Sequence, residues 1–282
     1  MNTAVKKRID LPRVITWIVI GAVLIITLYP IIWLMLSALK TNSELSVTPM
    51  YSLPRSPKLS NFVVAWNKGK IGSFMSNSAG YALASIICTL VLGLPASFAL
   101  SKMRWKLSGT VQTLFTVGIT IPFQVTLIPL FAVMKTLGLI NTRLGMICIY
   151  TAFGLPMAIF MFANFFRTVP NELIEAAFID GCGLVRTFMQ IMVPLVGNAV
   201  VTIIMLRFTA VWNDLIISKT FVTTMKLKSL QTGLLMFIGE DASRDWALSF
   251  AAVAIGMLPT LFIYLFLNKS IIAGMTAGAI KG

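Results

Sequence analysis

Long apolar stretches alternate with short polar ones along the whole chain. A helix rising about 1.5 Å per residue needs roughly 20 mostly apolar residues to cross a hydrocarbon core about 30 Å thick. Six stretches meet that requirement, near Val14–Leu39, Phe74–Leu100, Thr110–Met134, Leu144–Phe165, Leu195–Trp212 and Trp246–Leu267. The fifth is the shortest. The polar segments between them are Lys40–Ser73, Ser101–Gly109, Lys135–Arg143, Phe166–Pro194 and Asn213–Asp245. The pattern predicts an all-α integral membrane protein with six transmembrane helices. Its parts are an N-terminal segment (1–13), a six-span domain (14–267) carrying a loop at 166–194, and a tail (268–282). The first run is too long for a secretion signal and has no small-residue cleavage pattern after it, so it is expected to stay in the mature protein.

An even number of spans puts both termini on one side. Lys6, Lys7, Arg8 and Arg13 precede the first span and assign that side to the cytoplasm. Over the whole chain the bases divide evenly between the two sides, with Arg207 inside the fifth span, so the orientation rests on the first cluster. Arg207 lies close to Trp212 and is expected to snorkel outward or to pair with Asp214. Pro95, Pro122, Pro129, Pro156 and Pro259 each remove a backbone hydrogen bond from a span. The third span is predicted to be the most broken, because its run Thr120–Thr126 combines two hydroxyls and an amide with Pro122. Such a run is either a kink satisfied by neighbouring helices or a stretch that lines a solute path through Thr120, Gln124 and Thr126.

Composition narrows the class. The chain is 57% hydrophobic and 11% charged, whereas a soluble domain carries roughly a quarter charged residues. A soluble globular enzyme is excluded. The net charge of +14 sits in loops that face headgroups and water, so it implies membrane lipid and no nucleic acid. Cys88, Cys148 and Cys182 are scattered and odd in number, and histidine is absent. No metal site and no histidine-based catalysis follow. No G-x-x-x-x-G-K-[ST] phosphate loop is present, so the chain is not itself an ATPase. The acidic residues all fall outside the predicted spans, which disfavours a self-sufficient secondary carrier built on a proton or sodium relay.

The loop from Val169 to Leu195 carries the most information. Pro170 suits a first helical turn, and Glu172 and Glu175 suit the positive end of a helix. The helix is predicted to run to about Asp180, where Gly181 and Gly183 end it. A second helix is predicted from Leu184, with Leu184, Phe188, Ile191, Met192 and Leu195 on one face. In the first helix Ala176 and Ala177 form a low surface beside the apolar pair Ile174 and Phe178. Such a helix either seats in a groove on another protein or lies on the membrane surface.

Glu175-Ala176-Ala177, then Asp180-Gly181, then Ile191 and Pro194, resembles the EAA loop of ATP-binding-cassette importer permeases. The spacing is that of EAA, three residues, G and then I-x-x-P. The resemblance implies a coupling helix seated in a cleft of an ATPase subunit, with Glu175, Ala176, Ala177, Phe178, Asp180, Gly181, Ile191 and Pro194 as docking residues. Cys182 stands where a small residue such as alanine is usual. The ending Asn268–Gly282 resembles the tail of carbohydrate-uptake permeases of the maltose type, the shorter of the two paired permeases. That implies a tail reaching the ATPase dimer interface through Gly274, Thr276, Gly278 and Lys281. Trp212-Asn213-Asp214 and the run Ser229–Phe237 are similar to the same subgroup. They imply contact with an extracytoplasmic solute-binding protein at Gln231, Thr232 and Gly233.

Together these resemblances imply a type I ABC importer permease fold with both termini cytoplasmic, in a bacterial or archaeal inner membrane. The chain would be a non-catalytic subunit forming half of a translocation pathway with a second permease. An ATPase dimer would bind the ATP and Mg, leaving this chain without a cofactor. The implied solute is a sugar or oligosaccharide, with a polyol or sugar-phosphate ester as the alternative.

Overall fold

The computed structural model describes the backbone of residues 11–238 and 245–279, and the side chains of 12–237 and 245–266. In chain order the helices are α1 (Leu11–Ala38), α2 (Asn42–Val47), α3 (Ser60–Asn67), α4 (Ile71–Lys102), α5 (Ser108–Thr120), α6 (Phe123–Thr136) and α7 (Arg143–Thr168). They continue with α8 (Glu172–Ile179), α9 (Leu184–Thr187), α10 (Val193–Leu195), α11 (Gly197–Trp212), α12 (Ile216–Phe221), α13 (Leu230–Leu234) and α14 (Trp246–Ala279).

Four described helices are long and apolar enough to cross a membrane: Pro12–Ala38, Ile71–Lys102, Arg143–Thr168 and Trp246–Phe266. The other two predicted spans are bent pairs. Helices α5 and α6 meet at 106°, and Leu184–Leu195 meets α11 at 73°. Six crossings result when each pair counts as one. Of the five prolines expected to interrupt the spans, only Pro122 coincides with a break. Ile121 (φ −79°, ψ 115°) and Pro122 (φ −62°, ψ 126°) are both extended, as the residue before a proline prefers, and the chain turns there. Pro95, Pro129, Pro156 and Pro259 lie inside continuous helices. The break before α11 follows a π-helical turn at Phe188–Met192. Pro194 has no N–H to give the carbonyl of Gln190, and the wider turn accommodates that loss.

The chain divides into two compact units, one built from residues up to Gly69 with Phe237–Ile255, the other from Lys70–Met236 with residues from Gly256 on. In the first unit, α1 leaves apolar residues such as Trp17, Ile25 and Ile26 uncovered on the chain's own surface. Its far end is tied down by polar contacts. Asn61 donates to the carbonyls of Ala38 and Lys40, both at 2.9 Å. Thr41 caps α2, and Asn42 both donates to Asp245 and accepts from the N–H of Ala247 at the start of α14.

The second unit is organised by α4 lying against α7. Gly93 brings the two helices close enough that an added Cβ would sit 3.7 Å from both the Ala158 methyl and the Phe162 ring. Ser97 Oγ donates to the Ile159 carbonyl at 3.2 Å across the same seam. Small residues and short interhelical hydrogen bonds are what hold helices together where lipid is as apolar as leucine. Below this seam lies a core of Phe98, Phe162, Phe166, Met192, Val196, Ala199 and Ile203. At the other end of α4, Asn77 donates to the carbonyls of Lys226 (2.8 Å) and Lys228 (3.0 Å), Tyr81 donates to that of Leu227 (2.7 Å), and Ser78 Oγ accepts from the N–H of Leu230 (2.8 Å). A polar stripe on one helix thus fixes the loop between α12 and α13.

Asn77→Ala removes two of these hydrogen bonds and leaves two carbonyls to find other partners. A loss of about 1–3 kcal/mol is expected, read as a lower thermal midpoint in a thiol-reactive dye assay in detergent, with faster proteolysis of the 222–229 stretch. An unchanged midpoint would show that the loop is held elsewhere.

Candidate docking loop and solute cavity

The loop that ends α7 is built on an aromatic base. Phe188 lies 5.2 Å from the Phe98 ring and 6.5 Å from Phe166, and Phe98 meets Phe166 edge to face at 5.7 Å. Lys102, at the end of α4, donates to the Val169 carbonyl (2.6 Å) and to Asn171 Oδ1 (2.8 Å), which fixes where the chain enters α8. Helix α8 starts at Glu172, two residues later than Pro170 suggested. Its end has a defined geometry. The N–H of Cys182 donates to the Ala177 carbonyl (2.8 Å), that of Gly181 to Phe178 (3.1 Å), and Gly181 takes φ +79°. This is the left-handed stop that glycine supplies at low cost.

The faces of α8 divide clearly. Ala177 is buried and Ile174 packs on the core, so these two residues hold the helix down. Glu175, Ala176, Phe178 and Asp180 are exposed, and Ile179 is 86% exposed. An apolar, low-profile surface with carboxylates at its start therefore faces away from the chain. Ile191 is half-buried and Pro194 exposed, on the segment that follows. The single apolar face expected from Leu184 to Leu195 is split by the π-helical turn. Phe188 and Met192 pack inward, while Leu184 and Leu195 stay exposed.

A second feature lies where α5 and α6 meet. A cavity of about 380 Å³ is lined by residues including Gln124, Phe153, Arg207 and Asp214, with Tyr150 and Pro156 on its α7 side. Arg207 is not snorkelled outward. Its Nη2 donates to the Tyr150 carbonyl, and Gly154 gives it room, since an added Cβ there would lie 2.5 Å from Nε. Asp214 does not pair with it. Asp214 accepts from Tyr150 OH (2.8 Å), from the N–H of Ser218 (2.9 Å) and from that of Ile217 (3.2 Å), so it closes the first turn of α12. Of the three candidate path residues, Gln124 lines the cavity. Thr120 and Thr126 turn their hydroxyls onto the carbonyls of Val117 and Phe123 in their own helices. Tyr150, Gly154 and Asp214 were not singled out for a solute path by their sequence pattern. The legible signal was Arg207, a charge in an apolar run that needs a partner.

The remaining candidates are placed as follows. Thr232 and Gly233 are buried within the chain, Thr232 beside Ser229 and Gly233 so close to Phe74 that a Cβ would overlap the ring. Gln231 is half-buried and donates to the Trp212 carbonyl at 3.4 Å. The expected surface for a binding protein is therefore not presented by residues 232 and 233. Gly274, Thr276 and Gly278 fall on α14 where only the backbone is described, and Lys281 lies outside the described residues.

Residues 89–277 match the family model of the binding-protein-dependent transport system inner membrane component. The chain belongs to this family. It is thus a multi-pass inner-membrane protein and a transport subunit. It is 31% identical to the sulfoquinovosyl glycerol transport system permease protein SmoH of Agrobacterium fabrum, over 90% of this chain and 89% of that one. It is also 31% identical to the melibiose/raffinose/stachyose import permease protein MelC of Bacillus subtilis, over 90% of this chain and 91% of that one. Among solved structures, a bacterial ABC transporter involved in import of the acidic polysaccharide alginate superposes with a TM-score of 0.82 at 18% identity, covering 95% of this chain and 99% of that one. The fold is that of a type I ABC importer permease.

In this family member, Tyr150→Phe removes the hydroxyl that bonds the Asp214 carboxylate. The lost hydrogen bond to a charged group is expected to lower stability by about 1.5–3 kcal/mol, measured as a reduced melting midpoint of the detergent-solubilised chain. A midpoint equal to that of the native protein would show that the two backbone N–H groups suffice to hold Asp214.

Proposed function

We propose that this chain is a permease subunit of an ATP-driven importer of a sugar or oligosaccharide and forms half of its translocation pathway. The observation that carries the reading is α8, a short helix whose outer face is apolar and exposed on the chain, yet anchored beneath by Ala177, Ile174 and the Phe98–Phe166–Phe188 cluster. A groove on an ATPase subunit is the partner that such a face fits. The sugar follows from the names of SmoH and MelC, whose transport systems carry saccharides or a saccharide derivative. The partners are a second permease, an ATPase dimer that holds ATP and Mg, and a solute-binding protein on the external side. Both termini then lie in the cytoplasm, as does α8.

In this mechanism, closing of the ATPase dimer moves α8. The aromatic base passes the movement to the ends of α4 and α7, and the spans alternate the side to which the pathway opens. This chain's own contribution to the path is the cavity at Gln124, Arg207 and Tyr150. Its 380 Å³ suits a saccharide unit, and its donors suit hydroxyl oxygens.

Glu175→Lys is expected to lower solute uptake about tenfold or more while ATP hydrolysis and membrane insertion persist, since one or two lost charge-assisted contacts are worth that much. Uptake and phosphate release are measured together in proteoliposomes, and normal uptake would end the coupling reading. Gln124→Ala is expected to reduce uptake several-fold, about 1 kcal/mol, with no change in co-purification of the ATPase. Unchanged uptake would reduce the α5–α6 break to a structural feature.

A further inference from the structure

An ammonium carries three N–H donors and, when buried, requires acceptors or a counter-charge. Lys40 is 1% exposed, and among the described residues its Nζ makes one hydrogen bond, to Ser52 Oγ at 3.0 Å. Among the described residues it has no ion pair. Glu44, the buried carboxylate nearby in sequence, instead accepts the backbone N–H of Arg55 at 2.6 Å. Ser37, one turn back, is also 1% exposed and its hydroxyl has no partner. Both residues line one cavity of about 430 Å³ within the first unit, and its other wall is aromatic, formed by Trp33, Trp246 and Phe250. Phe250 meets Trp33 edge to face at 5.2 Å and stacks on Trp246 at 6.0 Å. Among the described residues no carboxylate lines this cavity.

Its depth in the membrane is set by the two helices that form it. Trp33 and Ser37 lie in the last turns of the apolar α1, and Trp246 is the first residue of the apolar α14. Tryptophans at the ends of spans sit at the headgroup level. The cavity therefore opens where lipid headgroups lie, with an uncompensated cation and an orphan hydroxyl at one side and an apolar aromatic wall at the other. This is the pattern of an amphiphile with an anionic head. A zwitterionic lipid would bring a second cation that no carboxylate among the described lining residues receives.

We propose that this cavity is a binding site for an anionic phospholipid, whose phosphate takes the Lys40 ammonium and the Ser37 hydroxyl while its glycerol and acyl carbons lie along Trp33 and Phe250. Such a lipid supplies a counter-charge that none of the described residues gives, and it steadies the junction between α1 and the start of α14. The site shares no residue with the α8 loop or with the Arg207 cavity, and it does not rest on either.

The test uses the full chain in phosphatidylcholine nanodiscs, titrated with dihexanoyl phosphatidylglycerol, dihexanoyl phosphatidylcholine or inorganic phosphate and followed by tryptophan fluorescence. Saturable binding of the phosphatidylglycerol is expected, with little response to phosphatidylcholine and much weaker binding of inorganic phosphate. Lys40→Met is expected to weaken it about tenfold, the worth of one charge-assisted hydrogen bond. Ser37→Ala is expected to weaken it several-fold, while Lys40→Arg, and Lys68→Met at an exposed lysine, leave it near native. Trp33→Phe combined with Trp246→Phe should remove most of the signal and so assign it to this cavity. Inorganic phosphate binding as tightly as the lipid would overturn the lipid assignment. Native binding in both Lys40→Met and Ser37→Ala, or an undiminished signal in the Trp33→Phe, Trp246→Phe double variant, would overturn the site.

Discussion

Within hydrocarbon, an apolar side chain gains little by exchanging lipid for protein, so close backbone approach and interhelical hydrogen bonds must hold the bundle. In the larger unit that role falls to the seam between α4 and α7, where Gly93 faces Ala158 and Phe162 and Ser97 reaches the Ile159 carbonyl. Both functional features depend on it. Phe98 and Phe166, which support α8, are residues of these two helices, and Tyr150 and Gly154, which seat Arg207, belong to α7. Loosening the seam would displace the α8 loop and the cavity together.

The existence of the spans was legible because hydropathy over about 20 residues measures a quantity set by the bilayer itself. The break of the third span was legible as well, because Pro122 sits in the polar run Thr120–Thr126 and the 106° bend falls there. The other four prolines, Pro95, Pro129, Pro156 and Pro259, were expected to interrupt their spans too, yet they lie inside continuous helices, and only at Pro122 do two successive residues leave the helical region. The π-helical turn at Phe188–Met192 was hidden, and it undid a helical periodicity that assumed a constant pitch. The polar residues of α4 did carry a readable signal. Asn77, Ser78, Tyr81, Ser85, Thr89 and Ser97 recur on one stripe of an otherwise apolar helix, and that stripe is buried.

The two functional features differ in the same way. The end of α8 is local chemistry, in which a glycine permits a left-handed residue, and Gly181 adopts φ +79° as its place after Asp180 predicts. The surroundings of Arg207 are tertiary. Snorkelling was the expectation because Trp212 lies close in sequence, but the Tyr150 carbonyl and the room left by Gly154 come from another helix. Likewise Thr232 and Gly233 sit in a polar loop, where exposure is the ordinary expectation, and are buried because Phe74 and Ser229 close over them.

Helix α7 links the two features physically. Phe166 at one end stands on the aromatic base of the docking loop, and Tyr150, sixteen residues away and so about 24 Å along the axis, holds both Arg207 and Asp214. A continuous hydrogen-bonded helix transmits tilt with little loss, and α7 continues through Pro156. The facing wall is different in kind, because the 106° break at Ile121–Pro122 is a loop-like joint of the sort that absorbs backbone rotation during domain movement. A rigid rod on one side of the cavity and a joint on the other form an asymmetric pair. On the proposed coupling, force delivered at α8 would move the Arg207 side relative to Gln124, and the cavity would change shape without either helix unfolding.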